Sequence, residues 1–132
     1  MNRVVARFAD GRMIKGVTVD FVPGKDQFHV NDRSAPAGSK PVAIKTNELK
    51  ALFFVKDYAG DPQHRDLKKF DPARPPVGRR IRAVFKDGEV LVGTTQGYQL
   101  GRPGFFMVPV DPDSNNERCY VVAAATRQIA FL

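Results

Sequence analysis

Cysteine is nearly absent from this chain, and so are histidine and any long apolar run. Cys119 is the only cysteine, so no internal disulfide can form, which fits a reducing compartment such as the cytoplasm. The longest apolar stretches, Ala51–Val55 and Val121–Ala125, fall far short of the ~20 residues needed to cross a bilayer as a helix. The opening segment, MNRVVARFADGR, is charged throughout and has no apolar core of a secretory signal. A cytoplasmic protein with no membrane partner is expected.

Catalytic equipment is equally sparse. His29 and His64 are the only histidines, one falling in an expected strand and the other in a connecting segment. One cysteine and two scattered histidines do not make a zinc set, and no serine or cysteine sits in a nucleophile turn. Asp10 and Asp87 resemble a carboxylate pair, but each precedes a glycine and turn chemistry accounts for both. The expectation is a protein that is not an enzyme, with no catalytic residues, cofactor or metal.

What the chain does have is a copy of itself. Arg3–Val30 recurs as Arg80–Met107 at a constant offset of 77, with nine of 28 positions identical and no gap. The shared residues are Arg3/Arg80, Ala6/Ala83, Phe8/Phe85, Asp10/Asp87, Gly11/Gly88, Gly16/Gly93, Thr18/Thr95, Gly24/Gly101 and Phe28/Phe105. A repeat of this kind decides the architecture before any other argument. Within each copy, apolar and polar residues alternate with period two, the mark of strands. Asp10-Gly11 and Asp87-Gly88 predict tight type I′ hairpins. Long second strands, Arg12–Phe21 and Glu89–Tyr98, each carry one glycine where a bend is expected. Third strands carry Phe28 and Phe105. Fourth strands are expected at Pro41–Lys45 and Arg118–Ala123, with fifth strands at Leu52–Val55 and Ile129–Phe131.

Five short strands per copy predict an all-β protein of two five-stranded barrels, residues 1–56 and 78–132. Residues 57–77 form the bridge. There, Asp61-Pro62 reads as an N-cap followed by proline, predicting a short helix over Gln63–Lys69 with Leu67 and Phe70 packed on a barrel. A unit of ~60 residues is marginal alone, so the copies are expected to pack on each other.

The pattern apolar–x–Phe–x–Asp–Gly–x–apolar–apolar–x–Gly, present in both copies, resembles the first Sm motif of Sm-like proteins and, more broadly, the SH3-like barrel. The tandem form and the segment DPDSNNERCYVVAAA are similar to uncharacterised bacterial proteins with paired barrels. The resemblance implies the fold. Sm-like proteins bind RNA through a polar pair in the loop between the second and third strands and an Arg-Gly step between the last two. This chain reads Pro23–Gln27 and Leu100–Gly104 in the first place, and Glu48-Leu49-Lys50 and Thr126-Arg127-Gln128 in the second. The RNA site therefore does not carry over.

Net charge is +7, from 21 Lys and Arg against 14 Asp and Glu. Between Lys56 and Arg82, eight basic residues face four acidic ones. Basic balance favours polyanions. Lys68, Lys69, Arg74, Arg79, Arg80 and Arg82 are the candidate anion or nucleic-acid contacts, with Tyr58 or Phe70 available for stacking. A non-enzymatic basic module for RNA or DNA is the leading expectation. The alternative is a protein–protein adaptor using Tyr98, Arg102 and Phe106. A lesser one is a cyclic-dinucleotide receptor of PilZ type, whose RxxxR and [DN]xSxxG pattern is approached by Arg3, Arg7, Asp32, Ser34 and Ala37. Alanine there replaces the glycine, and both arginines fall in a strand rather than a leading loop. Finally, Asp111, Asp113, Asn115 and Glu117 alternate like ligands of a calcium loop. Asn116 stands where that loop needs glycine, so a structural hairpin loop is expected.

Overall fold

The computed structural model describes residues 2–73 and 77–132. Ten strands follow one another: β1 (Asn2–Phe8), β2 (Met13–Thr18), β3 (Gln27–Asp32), β4 (Val42–Lys45) and β5 (Leu49–Val55), then β6 (Arg79–Phe85), β7 (Val90–Thr95), β8 (Gly104–Pro109), β9 (Asn116–Val122) and β10 (Thr126–Phe131). One-turn 3-10 helices at Thr46–Glu48 and Ala123–Ala125 precede β5 and β10. The offset of 77 thus extends beyond the identical residues: β1 and β6, β2 and β7, β3 and β8, both 3-10 turns, and β5 and β10 all begin 77 positions apart.

The expected pair of closed barrels is not what forms. All ten strands make a single open antiparallel sheet in the order β10-β6-β7-β8-β9-β5-β1-β2-β3-β4. A barrel in the first copy would need β5 to come round to β4. Instead β5 pairs β1 on one side and β9 of the second copy on the other, with Leu52 opposite Tyr120 and Phe54 opposite Arg118. Period-two alternation tells which face of a strand is apolar, not which strand lies beside it.

That joint organises the core. Ala51, Phe53 and Val55 of β5 join Val5 in a cluster with Ile81, Ala83, Phe85, Phe105 and Met107 of the second copy. Leu49, Leu52 and Phe54 face the other way, into a cluster with Val4, Phe8, Phe28 and Ile44. Strand β9 mirrors this, sending Cys119 and Val121 into the first cluster and Tyr120 and Val122 into the second. Each core is therefore completed by the other copy. Accordingly all seven residues of β5 are buried, while none of β10, its counterpart at the sheet edge, is.

Local turns also differ from expectation. Among the described residues no non-glycine has positive φ, which rules out type I′ at Asp-Gly. Phe8 accepts from the Gly11 N–H and donates to Arg12, and the Asp10 carboxylate accepts the Arg12 N–H. The result is a three-residue loop with Gly11 alone at φ +96°, repeated at Phe85–Glu89 with Gly88 at +94°. Gly16 and Gly93 serve close approach: a Cβ on either would collide with the carbonyl oxygen of Asn31 or Val108.

No helix forms over Gln63–Lys69. The Asp61 side chain does cap Gln63, and the Asp61 carbonyl accepts from His64, giving one turn. The Leu67 N–H then donates to the Asp111 carboxylate at 2.9 Å rather than back along the chain. Leu67 is exposed and Phe70 half-buried. No helix among the described residues is long and apolar enough to cross a membrane.

Candidate functional site

The basic residues between Lys56 and Arg82 are divided by strand geometry. Successive side chains of β6 point to opposite faces, so Arg79 lies on the side of Ile81 and Ala83, while Arg80 and Arg82 share the other. Arg79 stacks its guanidinium on Phe131, 3.6 Å from the ring centroid, in a row that continues through Tyr98 to Phe105. Arg80 stacks on Phe70 of the bridge at 5.0 Å, beside exposed Lys68 and Lys69. Arg82, opposite Val92 and Ala130, is half-buried. Its Nε is the one buried side-chain nitrogen or oxygen among the described residues without a partner. None of Lys68, Lys69, Arg79, Arg80 and Arg82 forms an ion pair among the described residues. Arg74 lies outside them. Sequence order alone hid the split of Arg79 from Arg80, although the strand reading contained it.

The expected partner surface is not assembled. Tyr98 and Phe106 are half-buried, and Phe106 belongs to an aromatic cluster at the joint with Phe21, Phe54 and Tyr120. Arg102 is exposed at the tip of the β7–β8 loop, next but one to Leu100, which is 91% exposed. Two residues of the PilZ-like pattern, Arg3 and Asp32, are engaged locally. Arg3 donates to the Lys56 carbonyl, and Asp32 closes its own turn by accepting from the Ser34 N–H and hydroxyl.

Asp111 explains the loop that resembled a calcium site. Its buried carboxylate accepts N–H groups from Leu67 and Asp113 and lies 2.9 Å from His64 Nε2, which is also 3.3 Å from Asp66. Ser114 donates to Asp66 at 2.8 Å. Facing two carboxylates that only accept, Nε2 must carry its proton. The hydrogen bonds from Leu67 and Asp113, ahead of His64, hold Asp111 below the usual carboxylate range. His64, Asp66 and Asp111 have the ligand types for a divalent cation. In this arrangement they fasten the bridge to the β8–β9 loop. Asp113, Asn115 and Glu117 do not join them: Asn115 instead pairs with the backbone of Asp57.

Two cationic side chains missing from the sequence reading tie the copies together. Buried Lys50 donates to Asp87 at 2.7 Å and to Glu89, with its ammonium 4.8 Å from the centre of the Phe85 ring. Arg118 lies over Phe54 and Phe106 at the joint.

No curated protein and no solved structure matches this chain. Across residues 1–132 it matches a family model described as "Family of unknown function (DUF6982)". Because that match spans the whole chain, the chain belongs to this family.

Proposed function

We propose that the protein is a non-enzymatic module that binds an anionic polymer, RNA or DNA, on the face of β6 that carries Arg80 and Arg82. The observation that supports this best is the state of those two arginines. They lie two residues apart on one face, have no carboxylate partner among the described residues, and Arg82 keeps an unsatisfied buried Nε. A guanidinium without a carboxylate partner has its fork available to phosphate oxygens. Lys68 and Lys69 extend the positive surface along the bridge, and Phe70 lies 5.0 Å from the Arg80 guanidinium. Arg79, on the opposite face, contributes to the field rather than to the contact.

The test is fluorescence anisotropy of a labelled single-stranded oligonucleotide across a salt series. Three or four phosphate contacts give a slope of log K against log salt of roughly −2 to −3. The double variant Arg80→Glu with Arg82→Glu should abolish binding while Arg79→Glu weakens it modestly. Unchanged affinity in the double variant, or a flat salt response, sinks the reading. The adaptor alternative would then rest on the exposed Leu100–Arg102 tip.

A further inference from the structure

The two copies differ at the end of their second strands, and there the second copy opens a cavity. In the first copy Asp20 accepts the His29 N–H at 2.9 Å and contacts His29 Nδ1 at 2.7 Å, a polar clasp across the strand ends. The positions 77 residues on are Gly97 and Phe106. Gly97 has no side chain to clasp with, and Phe106 turns into the aromatic cluster at the joint. The bridge, which has no counterpart in the first copy, walls the opening from the far side. Between them lies a cavity of about 1010 Å³, at the upper end of ordinary ligand pockets.

Its chemistry is specific. Apolar side chains line most of it, and three of them, Leu67 (62% exposed), Val77 (74%) and Val108 (51%), are left uncovered at its walls. The charged groups are Lys69, Arg118 and Asp71, so cations outnumber anions by one. Arg118 has no carboxylate partner among the described residues and is fixed by stacking on Phe54 and Phe106, 4.3 and 5.0 Å from their centroids. A guanidinium held on rings keeps its fork free for two parallel hydrogen bonds to a carboxylate. A polyanion would meet an apolar wall with few cations. A cationic amphiphile would face Arg118 and Lys69. An uncharged apolar ligand would bury beside Arg118 without pairing it.

We infer that this cavity is a binding site for a free amphipathic carboxylate, with its aliphatic or aromatic body against Leu67, Val77 and Val108 and its acid group on Arg118. The site borders the β6 face proposed for polyanions, with Lys69 and Phe70 common to both, but its acid-binding group, Arg118, lies on β9 and is no part of that face.

The probe is dodecanoate below its micellar concentration, measured by titration calorimetry against dodecyltrimethylammonium as the oppositely charged control. Dodecanoate should bind the wild-type chain at one site and the control should show no saturable binding. Arg118→Gln should weaken dodecanoate roughly tenfold or more, the loss of a charge-assisted hydrogen bond. Val108→Glu, a change at an exposed position that leaves the core intact, should abolish it. Arg118→Gln should leave oligonucleotide affinity within about twofold of the wild type, which separates this inference from the nucleic-acid reading. Equal binding of both surfactants overturns the inference, as does dodecanoate affinity unchanged in Arg118→Gln and Val108→Glu. Displacement of dodecanoate by an acidic apolar peptide at lower concentration than by other free carboxylates would overturn it in favour of a protein partner.

Discussion

Replacing Phe53 by alanine tests whether the two copies fold as one body. Phe53 belongs to the first copy by sequence but is buried among Ile81, Phe85, Phe105 and Met107 of the second. Removing a buried phenylalanine ring costs about 3–5 kcal/mol, through lost transfer free energy and the cavity left behind. Against a typical total of about 5–15 kcal/mol this is roughly a fifth or more of the stability. For a chain of this size the thermal midpoint should fall by about 10–20 °C. The informative measurement is residue-resolved native-state hydrogen exchange. If the cores are interdependent, the most protected amides of β1–β3 and β6–β8 lose the same free energy, because opening either core opens the other. Tyr120→Ala should likewise lower protection equally in both copies, since Tyr120 is a second-copy residue in the first copy's core. The reasoning fails if Phe53→Ala lowers protection in β6–β8 alone, or if unfolding separates into two transitions.

Two further outcomes follow from buried ionisable groups. Asp111 is held below its ordinary pKa by hydrogen bonds from Leu67 and Asp113 and by His64, so its contribution is fully present above the unfolded value, near 4, and is lost as pH falls through the folded one. Acid titration followed by circular dichroism should show this loss below pH ~4, and Asp111→Asn should flatten that limb; an unchanged acid limb in the variant would show that Asp111 does not fasten the bridge. Burial, ahead of the nearby Glu89 charge, pushes the Cys119 thiol up to about 12. It should therefore resist a disulfide reagent at pH 8 in the native protein and react at once in guanidinium, whereas rapid native labelling would contradict its place in the core.

The sequence carried much of what depends on one strand at a time. Alternation around Phe8 and Phe85, the Asp-Gly turns and the glycines at 16 and 93 placed most strands within a few residues, with β2 and β7 shorter than expected and β5 and β10 longer. Pairing was invisible, because LKALFFV reads the same whether its second edge meets β4 or β9. One signal was available: β5 is apolar on both faces, unlike β10, and a strand apolar on both sides must be covered on both. The bridge misled for a related reason. Asp61-Pro62 has the local chemistry of a helix start, but Asp111, distant in sequence, takes the Leu67 N–H that the helix would have needed. Of the basic candidates, the strand parity that separates Arg79 from Arg80 and Arg82 was legible; the unsatisfied Nε of Arg82 and the stacking of Arg80 on Phe70 required coordinates.

The meeting of β5 and β9 also changes what the bridge is for. Each strand would leave an apolar face bare in a separated half, so the two halves are complementary fragments rather than spare copies. The connecting segment then acts as a tether. It keeps the β9 edge near the β5 edge at an effective concentration in the millimolar range, making the encounter intramolecular. Severing it would turn folding into a bimolecular reaction whose yield depends on how much of each half is present.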